Sequence, residues 1–170
     1  RILEVSSSGD LTLNDVTVSG DGGNGYDNGS GLANFHGTVQ INRSIIQGGV
    51  GNGIYNNDGT IEINNSTISG NSTGQFGGGV FNRNYGNNAT VIINSSTISG
   101  NSAGSSGGGI FNFEGILTLN NSTVSGNIAP TGAGVQNESH GSYGFTTTIN
   151  DSTITGNVAS YAGGGINVDS

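Results

Sequence analysis

Apolar and polar residues alternate with period two in six segments: LTLNDVTVSG (11–20), VQINRSIIQG (39–48), IEINNSTISG (61–70), VIINSSTISG (91–100), LTLNNSTVSG (117–126) and TTINDSTITG (147–156). That period sends successive side chains to opposite faces and predicts β-strands. The copies recur at spacings of 28, 22, 30, 26 and 30 residues. A second short element follows each one: SGLANF (30–35), NGIYNN (52–57), GGVFNR (78–83), GGIFNF (108–113), AGVQNE (133–138) and GGINVD (164–169). Equal strands joined by unequal loops predict one solenoid coil per repeat, because strands must stack while loops bulge outward. Aligning the repeats gives four inward columns. Leu11, Val39, Ile61, Val91 and Leu117 form the first, with Thr147 as its polar member. Leu13, Ile41, Ile63, Ile93, Leu119 and Ile149 form the second. Val18, Ile46, Ile68, Ile98, Val124 and Ile154 form the third, and Leu32, Ile54, Val80, Ile110, Val135 and Ile166 the fourth. The predicted fold is all-β: a single domain over 1–170, a three-sided, right-handed parallel β-helix of about six coils. At about 4.8 Å per strand the rod is roughly 30 Å long.

Two asparagine columns mark the corners. Asn14, Asn42, Asn64, Asn94, Asn120 and Asn150 occupy one position, and Asn34, Asn56, Asn82, Asn112 and Asn137 another. Stacked amides bond from coil to coil, so both columns are expected to be structural ladders. Glycines 20, 48, 70, 100, 126 and 156 are placed to supply positive φ at the turns. The composition agrees: 34 glycines without a period of three, one proline, 31% hydrophobic residues and 8% charged ones. Disordered chains carry more charge and fewer β-branched residues. The net charge is −8 with no lysine, which argues against nucleic acid or an anionic membrane surface as partner. There is no cysteine for a disulfide or thiolate site, and no apolar run long enough for a membrane-spanning helix. With no methionine and no leader peptide, the sequence reads as a mature product or an excised segment.

The stretches STISGNSAGSSGGGIFN (96–112) and GTIEINNSTISGN (59–71) resemble the repeats of large secreted bacterial β-helix proteins. The motifs GGGVFN and GGGIFN are similar to the GGA[ILV] and FxxN repeats of polymorphic outer-membrane autotransporter passengers. The resemblance covers essentially the whole chain. It implies an extracellular or cell-surface protein serving as an adhesin or structural passenger. The wider pectate-lyase-like superfamily also contains polysaccharide lyases and hydrolases, which makes an enzyme the remote alternative.

The acidic residues do not favour that alternative. Asp15 and Asp151 share a column at opposite ends of the rod, Asp58 and Glu114 precede the same strand two coils apart, and Glu62 stands alone. Paired acid–base chemistry has no obvious home. His36 and His140 read as separate loop residues, and no catalytic residue is expected. Gly22 to Asp27 match the core of a calcium-binding nonapeptide, with Asp21 and Asp27 as oxygen ligands, so calcium is the one cofactor considered. Thr17/Ser19, Thr67/Ser69, Thr97/Ser99, Thr123/Ser125 and Thr153/Thr155 form an outward hydroxyl array, broken by Ile45/Gln47, of the kind that binds ice. Tyr55, Phe81 and Phe111 are predicted as an exposed aromatic stripe for carbohydrate or another chain; the alternative is that long loops cover them as a satellite core. Both chain ends carry the same strand of the coil, Leu3 to Val5 and Ile166 to Val168. Head-to-tail self-association through these edges, or continuation into a longer parent solenoid, is the expected partnership. The leading expectation is an extracellular structural or adhesive element, with carbohydrate or ice binding second.

Overall fold

A computed structural model describes residues 1–20, 29–86, 88–141 and 143–169. It is a parallel β-solenoid of about six coils, with no helix among the described residues. Sheet A has seven strands: Leu3–Val5, Leu32–Phe35, Ile54–Asn57, Val80–Arg83, Ile110–Phe113, Val135–Glu138 and Ile166–Asp169. Sheet B stacks Asp10–Asn14, Thr38–Asn42, Thr60–Asn64, Thr90–Asn94, Ile116–Asn120 and Thr146–Asn150. Sheet C stacks Thr17–Ser19, Ile45–Gln47, Thr67–Ser69, Thr97–Ser99, Thr123–Ser125 and Thr153–Thr155. A fourth, sheet D, joins Ser72–Thr73, Ser102–Ala103, Ile128–Thr131 and Val158–Ala162. Coils three to six therefore have four sides where the sequence led to an expectation of three.

The repeat columns are the register. Ile61 faces Val39 and Val91, and Ile98 faces Ile68 and Val124. The four apolar columns point inward as one continuous core, fully buried in the middle coils and half-open at Leu3, Leu11, Leu13, Ile149 and Ile154. Burying one such side chain is worth about 1.5–3 kcal/mol, so the core strengthens with each coil added.

Polar ladders hold the corners. At the A–B corner, Asn34, Asn56, Asn82, Asn112 and Asn137 are buried, and each of the first four donates from Nδ2 to the Oδ1 of the next coil's asparagine at 2.8–3.2 Å. The Asn14-to-Asn150 ladder also forms, at 2.8–3.0 Å, but on the outer rim of the B–C corner and with its donors pointing the opposite way. The ladder asparagine itself ends the strand. The following residue makes the turn, with φ between 46° and 55° from Asp15 to Asp151. Beneath it runs a serine ladder: Ser66 Oγ donates to Asn64 O at 2.7 Å and accepts Ser44 N–H at 3.0 Å, and the pattern repeats at Ser96 and Ser122. At the C–D corner Asn71, Asn101, Asn127 and Asn157 form a third amide ladder.

Candidate functional site

The outward side of sheet A is where the chain concentrates its aromatic residues. Alternation puts Ala33, Tyr55, Phe81 and Phe111 in one outward column, and two residues further along each strand it puts Phe35, Asn57, Arg83, Phe113 and Glu138 in a second. Tyr55, Phe81 and Phe111 are not the exposed stripe expected from the sequence: they are 3%, 8% and 1% exposed. They form a satellite core with Ala33, flanked by Phe35, Phe76 and Phe113. Neighbouring rings meet edge to face, Tyr55–Phe81 at 5.4 Å and Phe81–Phe111 at 5.1 Å, the arrangement an aromatic quadrupole favours. The cover comes from the loop after Thr73, which lays Phe76 against Phe111 at 4.9 Å and 27°. Burial of Tyr55 pushes its phenol above the usual tyrosine range, against the opposing pull of the nearby Arg83 charge.

Covering the stripe leaves a cleft of about 380 Å³ lined by Gln75, Phe76, Phe81, Arg83, Phe111, Phe113, Glu138 and His140. Phe113 lies nearly parallel to Phe111 (17°) and meets His140 edge-on at 5.1 Å. Arg83, Phe113 and Glu138 are successive members of one column. The Arg83 guanidinium stacks on Tyr85 at 4.0 Å, and Glu138 Oε1 meets His140 Nε2 at 2.9 Å. Sequence reasoning missed Phe76, Phe113 and the rim. The period-two partner of Phe111 was legible, whereas the fold of the Gln75–Phe76 loop was not.

Asp58 and Glu114 turn the A–B corner with φ of 55° and 54°, each followed by a glycine. Both are buried and hold loops of the next coil. Asp58 Oδ1 accepts Tyr85 N–H at 2.6 Å, and Glu114 Oε1 accepts His140 N–H at 2.9 Å. His36 is exposed at the same corner, far along the rod from His140. Asp15 pairs bidentately with Arg43, 2.7 Å at both contacts, and this hydrogen-bonded charge holds its carboxyl below the ordinary range. Among the described residues no three of His, Asp and Glu gather to hold a metal ion. The calcium candidates Asp21 and Asp27 lie outside the described residues.

The hydroxyl array stacks in register on sheet C, with Ile45 and Gln47 interrupting it between the first and third coils. At the ends of sheet A, Leu3 pairs with Leu32 and Ile166 with Val135, each on one edge alone among the described residues. Ile166 is 41% and Val168 60% exposed. In the column of the buried asparagine ladder, Val5 lies beside Asn34 and Val168 beside Asn137, so a valine closes the amide ladder at either end. No described helix is long and apolar enough to cross a membrane. No family model, curated protein or solved structure matches this chain.

Proposed function

We propose that the chain is an extracellular structural element: a solenoid rod whose coils continue, through the open edges of its outer strands, onto a second copy of the chain or further coils of a longer surface adhesin. The observation that carries this reading is the match between the two ends. Sheet A presents Leu3, Glu4 and Val5 at one end and Ile166, Asn167 and Val168 at the other, in the same phase and register. Stacked head to tail, Leu3 would meet Ile166 and Val5 would meet Val168. The contact would bury apolar side chains and satisfy free strand edges together. Such a contact is heterologous and does not close, so it propagates into a filament. The polar, weakly charged exterior and the resemblance to secreted β-helix repeats support an extracellular setting.

Electron microscopy and solution mass of the purified chain test this. The expected result is unbranched rods lengthening in steps of about 30 Å, with association abolished by Val168→Asp, a change at an exposed position that leaves the single rod folded. Monodisperse monomers at high concentration would overturn stacking between copies and leave only the longer-solenoid form of the proposal.

A further inference from the structure

The cleft on sheet A has a composition that the structural reading does not use. Its floor and one wall are aromatic: Phe76, Phe111 and Phe113 lie within 27° and 17° of parallel. Phe111 is buried, so the partly buried Phe76 and Phe113 supply the apolar surface of the cleft. Its rim is polar and of mixed character. Arg83 is a pure donor, Glu138 a carboxylate acceptor, and Gln75 and His140 both donate and accept. Phe113 sits between Arg83 and Glu138 in one column, one strand from each. Arg83 and Glu138 therefore lie on strands about 10 Å apart. That is roughly the width of a six-membered sugar ring with a hydrogen bond at each side. The volume of about 380 Å³ is within the range of small-molecule sites.

The rim groups are held in place. Arg83 is braced by the face of Tyr85, whose N–H is fixed by the buried Asp58. The backbone of His140 is fixed by the buried Glu114. Arg83 makes no ion pair among the described residues, and beyond its contact with the Tyr55 hydroxyl the guanidinium has further donors to offer a ligand. Three successive coils thus supply a preorganised platform with donors at one side and acceptors at the other.

We propose that this cleft binds a neutral pyranose ring, one unit of an oligosaccharide. The C–H face of the ring stacks on Phe113 while hydroxyls on opposite edges accept from Arg83 and donate to Glu138. A hydroxyl both gives and takes a hydrogen bond, which suits a rim of mixed character. A carboxylated sugar would face Glu138 and be repelled there.

The test is calorimetric titration of the intact chain with β-1,4-linked tetramers of glucose, N-acetylglucosamine and mannose, and with tetragalacturonate as the acidic contrast. The expected result is saturable binding of at least one neutral tetramer with Kd below about 1 mM. Phe113→Ala should weaken it by about tenfold and Glu138→Gln by several-fold. Thr97→Val, on the distant sheet C, should leave it unchanged. Circular dichroism melts verify that each variant is folded. Binding by none of the neutral tetramers would overturn the proposal. So would binding of tetragalacturonate alone, or affinity unaltered in both folded cleft variants.

Discussion

Asn82 shows how much of the stability sits in single buried amides. Its Nδ2 donates to Asn112 Oδ1 at 2.9 Å, Ile116 O at 3.1 Å and Ala89 O at 3.2 Å, and its Oδ1 accepts from Asn56 at 2.8 Å. Asn82→Ala leaves several buried partners unpaired and is expected to cost about 3 kcal/mol in urea unfolding. Asn64→Ala, in the outer ladder where water replaces the lost bonds, should cost about 1 kcal/mol or less. The outer ladder, the more regular in sequence, is thus the weaker one. Tyr55 gives a second residue-scale prediction. Its folded pKa is raised, so below the ordinary tyrosine range both states are protonated and the group adds no pH dependence. As pH rises past that range the unfolded chain ionises first, and stability falls until the folded pKa is passed. The melting temperature should drop on alkaline titration, and Tyr55→Phe should flatten that drop. The Asp15–Arg43 pair works in the opposite direction: stability present above the unfolded aspartate range is lost as pH falls through its lowered folded pKa. Both side chains are exposed, so that effect should be small.

At the scale of the element, two kinds of glycine serve two different needs. Gly100 turns the corner after a sheet C strand with φ of 62°, and nothing stands within 4 Å of where a Cβ would be. Its requirement is conformational, so Gly100→Ala should cost about 1–2 kcal/mol. Gly79 precedes a sheet A strand, and a Cβ there would lie 2.6 Å from the carbonyl oxygen of Gly109 in the next coil. Its requirement is space, set by the backbone of a neighbouring coil. Gly79→Ala should cost about 3 kcal/mol and loosen coil stacking, measurable as faster amide exchange in Val80–Arg83 and Ile110–Phe113.

For the whole molecule, each interior coil is covered by the coil on either side, while the outermost coils are covered on one side only. Leu11 and Leu13 at one end and Ile149 and Ile154 at the other are accordingly half-buried, where their column mates between them are fully buried. Such a rod gains stability with every coil joined to it, as nearest-neighbour repeat proteins do. Under the stacking proposal, the unfolding midpoint should rise with protein concentration, and Val168→Asp should remove that dependence.

Alternation along the strands and recurrence of the six segments fixed the coil, the inward columns and the register, because a parallel stack repeats one local pattern at every level. Leu13, Ile41 and Ile63 share a column in the sequence and in the core for that reason. The same pattern was silent about the outside of sheet A. Tyr55, Phe81 and Phe111 alternate outward whether or not anything covers them, and the cover comes from Phe76, at a loop position where the next two coils carry Ser106 and Thr131. The fourth sheet likewise comes from pairing between the connections after sheet C, and the depth of each asparagine ladder from how two sheets meet at a corner. These are contacts made outside the six alternating segments. Only the tertiary structure decides them, because a side chain's position within one repeat does not determine what another segment lays over it.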